Sequence, residues 1–439
     1  MTTPIETATW PLGNFELLEK NLRAKVASRA HKVRMAAVSD LRRTGFPSQR
    51  DEDWKYTSVA PILERRFAPV LGRDSRGLTQ DDLFPFVFDQ HDWMRMVFVN
   101  GHWSPELSST GAAVDGIRLQ DLARVLEDEF GSVESLLSAS GRDAFGLLNT
   151  AFLLDGAYIY VPDGLRLPAP IHLLFLARGE SLVQQPRNLV VVGKGSSVTI
   201  LESYVGARAN DYFTNSVTEI IAAEGSEVDH MRIQEDGDSA FHIGATRVRQ
   251  GMNSRYRSTS VSLGAALTRN NLDVTLDAEG AACTLNGLYL TAGSQHVDNH
   301  TGIDHASPRC NSQQLYKGIL DGSSRGVFNG KVVVRQDSQK TDAHQLNSNL
   351  LLSDQAAVDT KPQLEIFADD VKCTHGAAIG RLDSEAIYYL RTRGLGVAKA
   401  RAVLTYAFAS EVIEGITVEP IREYLDRILL ARLERGGTR

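Results

Sequence analysis

The sequence predicts a mainly β protein with α: a right-handed parallel β-helix core between an N-terminal helical and mixed domain and a C-terminal helical domain. Three observations carry this. From about Ala157 the texture changes to short runs such as AYIYV, IHLLFLA, SVTILESYV, SVTEIIAA, EVDHMRI and LDVTLDA. They are rich in β-branched residues and punctuated by small or acidic turn residues, which reads as strands of four to eight residues. A loose repeat, GKGSSVTI, AEGSEVDH and AEGAACTL, recurs at roughly 30 residues or a multiple of it, the spacing of a wound solenoid whose small residues turn its corners. Finally, all four tryptophans (Trp10, Trp54, Trp93, Trp103) lie in the first quarter of the chain and all three cysteines far beyond it, as expected of separate modules. No long helices interrupt the middle, so βαβ units do not fit. A β-sandwich is the second architecture compatible with the pattern.

At ~150 residues per domain, the 439 residues suggest two or three units. The first, 1–156, contains the helix-like NFELLEKNLRAKVASRAHKVRMAAVSDLRR, ending near Gly45 and Pro47, and further helices in LQDLARVLEDEF and VESLLSA. Between them MRMVFVNGHW reads as a strand entering a turn. The second unit, 157–380, is the solenoid. The third, 381–439, holds three helices. Asp383 is the expected N-cap of the first and Gly394 its stop, and VAKARAVLTYAFASEVIEG and VEPIREYLDRILLARLERG follow. On pattern alone this tail is either a projecting docking surface or a cap over the solenoid end.

Composition excludes several functions. A net charge of −7 does not favour nucleic acid as a partner. No basic head precedes an apolar run, and no stretch approaches the ~20 apolar residues of a membrane span, so the chain reads as cytoplasmic with no membrane partner. Cys283, Cys310 and Cys373 form no CxxC and are odd in number, so no disulfide framework is expected. Any metal or cluster held by cysteine needs further donors.

The chemistry-bearing residues are few. Cys373 and His375 in DVKCTHGAAIGRLD lie two apart, so in an extended strand both leave the same face and offer a thiolate and an imidazole to one ion. Zinc or an iron-sulfur cluster takes about four ligands, so the pair is half a site that asks for a second chain. The competing reading makes Cys373 a small buried hydrophobe and His375 a turn cap. HVDNHTGIDHASPRC carries a second polar cluster, His296, His300 and His305. Strand parity lets His296 and His300 share an ion, but the spacing matches no metal motif, and the pattern favours a satisfied polar stack along a solenoid face. His344 is a weaker candidate. GSSRG at Gly322 fits GxSxG, yet VFNGKVVVR after it reads as strand where a nucleophile elbow needs a helix. VVGKGSS lacks the upstream glycine of a P-loop, and no GxGxxG occurs.

These residues sit in segments that resemble a known family. The run QKTDAHQLNSNLLLSDQAAVDTKPQLEIFADDVKCTHGAAIGRLDSEAIYYLRTRG, together with DEDWKYTSV, VFVNGHWSPELS, FGLLNTAF, HVDNHTGIDH and LYKGILDGSSRGVFNGKVVV, is similar to the SufB/SufD family of the SUF iron-sulfur cluster assembly machinery. The likeness spans nearly the whole chain. It is nearer to the SufD branch, because SufB has a His-Glu-Ala run where this chain has Cys-x-His-Gly-Ala. SufB also tends to carry a cysteine in the strand corresponding to NSNLLLSD, and none is present here.

The resemblance implies a non-catalytic scaffold that pairs with SufB through the β-helix and binds the ATPase SufC through the C-terminal helices. Cys373 and His375 match SufD positions at the SufB interface, where iron or a nascent cluster is held transiently. No stably bound cofactor is expected on the lone chain; separately from the resemblance, exposed strand edges at a solenoid end would allow a homodimer when the chain is isolated, which the sequence does not decide. Tyr388, Tyr389, Leu390 and Arg393 are the candidate SufC contacts. The alternatives are a β-helix carbohydrate-active enzyme, and a stand-alone metal-binding protein using His296, His300 and His305.

Overall fold

The computed structural model describes residues 9–22, 28–88, 93–109, 114–138, 143–206 and 211–436. Its centre is a parallel β-solenoid of about eight turns. Two sheets face each other and the chain alternates between them. Sheet I runs from Ala157–Val161 through Tyr212–Ala222 and His296–His305 to Ala357–Ile366; sheet II runs from Met94–Val99 through Ser197–Gly206 and Ala282–Thr291 to Lys372–Gly380. One inward column of sheet II pairs, rung by rung, Val198, Val228, Tyr256, Cys283, Ser312, Ala343 and Cys373. Neighbours in that column are 27 to 31 positions apart, the period expected from the repeat. Most strands of the middle turns have ten residues, longer than their apolar runs suggest, because polar inward residues continue the pairing.

The corners explain why the repeat is loose. Gly195, Gly225 and Gly280, all in the quoted octets, adopt left-handed backbone with φ of 63°, 66° and 74°. Asn253, Arg309 and Lys340 occupy the equivalent corner of other turns with φ of 54°, 57° and 64°. The backbone N–H of each corner residue bonds to the carbonyl of a residue beside the next corner, as Gly280 does to Pro308 and Lys340 to Asp370. Each non-glycine corner costs roughly 1–2 kcal/mol, a penalty the stacked turns on either side absorb.

The N-terminal part lies on the outer face of sheet I. The long helical stretch is two helices, Thr9–Leu22 and Arg29–Thr44; the second is capped by Ser28, which accepts from His31 N, and stopped by Gly45 at φ 70°. Trp10, Phe15, Phe67 and Phe145 pack there on the outward Phe213, Phe241, Ile243 and Leu267 of the solenoid. This part also enters the solenoid itself. Met94–Val99 pairs in parallel with Ile171–Ala177, then turns through Asn100 and Gly101, both at positive φ, into His102–Trp103.

The C-terminal helices divide. Val397–Ile413 and Glu419–Gly436 lie along the outer face of sheet II, burying Val412, Ile413, Ile421, Leu425 and Leu429 on Leu201, Met231, Ile233, Val261, Leu288 and Ile319. At ~1.5–3 kcal/mol per buried aliphatic side chain, they are fixed to the flank. They neither project nor cap the end. Only Ser384–Thr392 buries nothing; Asp383 caps it, accepting from Glu385 N at 2.9 Å, and Gly394 follows it at φ 90°.

Among the described residues no further turn or helix covers the last turn. Ala357–Ile366 and Lys372–Gly380 each have one neighbouring strand, and no residue of either is buried. Ile379 in the second of them and Phe367 just after the first are 51% and 64% exposed. Among the described residues no helix is long and apolar enough to cross a membrane.

Candidate functional site

Cys373 and His375 stand on the final strand of sheet II, paired with Ala343 and Gln345 of the strand beneath. Every described residue below His375 in its column (Gln345, Gln314, Leu285, Ser258, His230, Ile200, Ile171 and Met94) is buried. Strand parity thus aims Cys373 and His375 toward the interior, where no further turn covers them. Cys373 packs partly against the apolar core, while His375 is exposed. Burial, and next the Asp342 carboxylate, push the Cys373 thiol above its ordinary value. Capturing a metal there displaces a proton from sulfur. Two donors are half of a tetrahedral set, and no group of three or more His, Cys, Asp or Glu able to hold a metal occurs among the described residues.

Below the open end the interior is polar and fully built. Tyr289 donates to Asn349 Oδ1 at 2.5 Å, Asn349 to Asn347 Oδ1 at 2.7 Å, and Thr360 of the opposite sheet to the same oxygen at 2.8 Å. Beside them Gln345 donates to Gln314 at 2.7 Å and Gln314 to Thr301 at 2.6 Å. Deeper still, Tyr204 and Thr218 donate to Glu202 at 2.8 and 2.6 Å, and Asp236 holds His242 at 2.7 Å. Burial alone would raise the Glu202 carboxyl, but His230, Arg232 and Thr218 outweigh it and hold it at about 2.

The three histidines of the second cluster do not meet. His296 and His300 point out of sheet I with Asp298, and His305, of opposite parity, points in and bonds Ser312 Oγ at 2.9 Å. Outside, His300 Nε2 lies 3.0 Å from Asp298, and Thr57 bonds His296 at 2.9 Å and Asp298 at 2.6 Å. Arg269 completes this patch, 2.8 Å from Asp298 and over the Trp54 ring at 3.8 Å. The group joins the N-terminal part to the solenoid. His344 is on the outer face of sheet II, 2.8 Å from Asp342 and 2.7 Å from Thr374 Oγ1. Gly322 and the serines after it form a turn between strands, with no helix following.

Tyr388 and Tyr389 are 68% and 57% exposed on the free helix, and Arg393 lies over the Tyr389 ring at 5.2 Å; Leu390 is half-buried.

Comparison with known proteins decides the family. The model for the SUF system FeS cluster assembly SufBD core domain matches residues 175–408, and that for the SufBD protein N-terminal region matches 12–173. The chain belongs to the SufBD family. It is 37% identical over 411 residues to an iron-sulfur cluster assembly SufBD family protein of Synechocystis sp., covering 91% of this chain and 90% of that one. It is 31% identical over 404 residues to the iron-sulfur cluster assembly protein SufD of Escherichia coli, covering 91% and 92%. The chloroplastic protein ABCI7 of Arabidopsis thaliana is 31% identical over 421 residues, covering 93% and 87%. The SufBD core match ends inside the helix Val397–Ile413, the one whose apolar side lies against sheet II.

Sequence reasoning passed over two features of this SufBD chain. Gln345 lies directly under His375, and the alternation A-x-Q-x-N-x-N from Ala343 to Asn349 marks the inward polar residues. The segment Asp53–Thr57 clamps the N-terminal part to the solenoid, and DEDWKYTSV carried it only as a family resemblance.

Proposed function

We propose that this chain is a non-catalytic scaffold subunit of the SUF machinery, working in the cytoplasm, whose open solenoid end pairs with SufB and whose free helix Ser384–Thr392 holds the ATPase SufC. The carrying observation is the uncovered last turn, with Cys373 and His375 aimed inward on a strand with one free edge. An exposed edge of nine residues is a template for strand pairing, and exposed Ile379 and Phe367 supply apolar area beside it. Two donors at such an end are completed by donors from the partner.

In this reading Cys373 offers sulfur and His375 imidazole nitrogen to iron as cargo, and the chain assists iron acquisition and new cluster assembly. Metal capture releases the Cys373 proton, since burial favours its thiol form. ATP-driven movement of SufC, transmitted through Ser384–Thr392, shifts the two solenoid ends and opens the shared site. Isolated, the same edge pairs with a second copy.

The test is anaerobic cluster assembly, read by absorbance, on the complex co-expressed with SufB and SufC. Cys373→Ala and His375→Ala are expected to leave the complex intact and to lower assembly sharply. Unchanged assembly in both would make the pair structural and sink the shared-site reading.

A further inference from the structure

We infer that Gln345 is a positioning residue for His375: its side-chain carbonyl, unpaired in this structure, is the acceptor that one imidazole N–H takes up, which turns the other nitrogen toward the open end. The inference rests on the reading of His375 as an iron donor.

Four observations lead to it. Gln345 and His375 are register partners on adjacent parallel strands, so their side chains stack on the same face. Gln345 is 3% exposed, and its Oε1 is buried with no hydrogen-bond partner. Its Nε2 is already committed to Gln314 Oε1 at 2.7 Å, and Gln314 Nε2 to Thr301 Oγ1 at 2.6 Å. This chain of amides fixes which end of Gln345 is free: the carbonyl. Fourth, the opposite sheet makes room for the amide, since a Cβ on Gly330 would stand 2.3 Å from Gln345 Nε2.

A buried carbonyl without a donor is rare in a folded protein, and the donor nearest in register is His375. A histidine that ligates a metal through one ring nitrogen characteristically donates its other N–H to such an acceptor, which selects the tautomer and aims the ring. Gln345 supplies that acceptor before iron arrives. Cys373, two residues earlier on the same face, then meets a nitrogen already oriented toward the shared cargo.

The test begins with the metal-free chain, by multiple-bond proton–nitrogen correlation of the imidazoles at a pH about two units above the ordinary histidine value. His375 is expected in one dominant tautomer; a mixture typical of free imidazole in the unaltered chain overturns the inference without any variant. Gln345→Leu removes the acceptor and is expected to mix the tautomers, whereas Gln345→Glu keeps an acceptor oxygen and preserves one. Ferrous iron alone, titrated into the complex with SufB, is expected to bind Gln345→Leu roughly 10- to 100-fold more weakly. A folded Gln345→Leu with unchanged tautomer and iron affinity refutes the role. If that happens while Cys373→Ala and His375→Ala still abolish assembly, only this inference falls; if those two variants are silent, the site reading itself falls.

Discussion

Thr57 donates its hydroxyl to the Asp298 carboxylate at 2.6 Å across 241 residues of chain. The same carboxylate receives Arg269 at 2.8 Å, and Arg269 in turn donates to the Asp53 carbonyl at 2.6 Å and covers the Trp54 ring. Glu52 reaches two turns further, to Lys361 on the uncovered strand of sheet I. A single short segment, 52–57, thus ties the N-terminal part to the outer face of the solenoid and to its open end.

Asp298→Ala should be strongly destabilising, because it leaves Arg269 buried without its counter-charge. Breaking one partner of a buried pair costs about 3–5 kcal/mol. The midpoint of urea unfolding followed by circular dichroism measures this, and a loss under about 1 kcal/mol, the range of an exposed pair, would contradict it. Burial would raise the Asp298 carboxyl, but Arg269 and His300 outweigh it and hold it well below the usual range. A depressed folded value means that the stabilisation is complete above about pH 4, the ordinary carboxylate value, and drains away as pH falls below it. Asp298→Ala should flatten that acid limb.

His305 makes stability depend on pH higher up. Burial lowers its imidazole from 6.5 to about 4, with Asp304 opposing weakly. The folded state therefore prefers the neutral ring. Its contribution is complete above pH 6.5 and is lost as pH falls toward 4, a swing of about 3 kcal/mol by linkage. His305→Gln, which keeps a polar atom for Ser312, should remove that part of the slope. The same slope in variant and parent would show that His305 does not carry it.

Gly244 faces the Arg232 guanidinium, and an added Cβ would stand 2.0 Å from Arg232 Nη2. Arg232 is itself buried, over the Tyr204 ring at 5.0 Å. Gly244→Ala must displace a buried cation as well as overpack, so a loss of about 1–3 kcal/mol or more is expected. A thermal midpoint equal to the parent's would mean that Arg232 has another place to go.

The solenoid was legible because its signals are local. Strand runs, corner glycines and a period near 30 residues each follow from short stretches, and Gly195, Gly225 and Gly280 stand where the repeat puts them. Corners built on Arg309 and Lys340 were invisible, since nothing in those residue types announces a left-handed turn, and Asn253, of a type that enters that region more readily, stands outside the glycine pattern of the repeat. At the site, parity alone placed Cys373 and His375 on one face. It could not show that the last turn is uncovered, because that depends on where the C-terminal helices dock. Their apolar positions fit a flank, a cap or a partner equally well, and only the matching face of Leu201, Met231 and Leu288 selects the flank. Nor could parity separate the second cluster from an ion site: it joins His296 to His300 on one face, while the neighbours that occupy them, Thr57 and Asp298, come partly from far along the chain.

The exposed helix yields the sharpest separation of stability from assembly. Ser384–Thr392 buries none of its residues, and Tyr388 and Tyr389 are open to solvent. Surface substitutions of this kind change stability by no more than about 0.5 kcal/mol. A large tyrosine that anchors a partner, by contrast, costs about 2 kcal/mol or more of binding when truncated. Tyr388→Ala and Tyr389→Ala should therefore leave the unfolding midpoint and circular dichroism spectrum of the chain untouched. Their affinity for SufC, measured by calorimetry on the purified proteins, should fall at least tenfold, with Tyr389→Ala also releasing Arg393 from its ring. If affinity is unchanged while both variants are folded, the proposed contact of Ser384–Thr392 with SufC falls. The flank helix Val397–Ile413, with Val397 and Val403 exposed, would then be the next face to substitute.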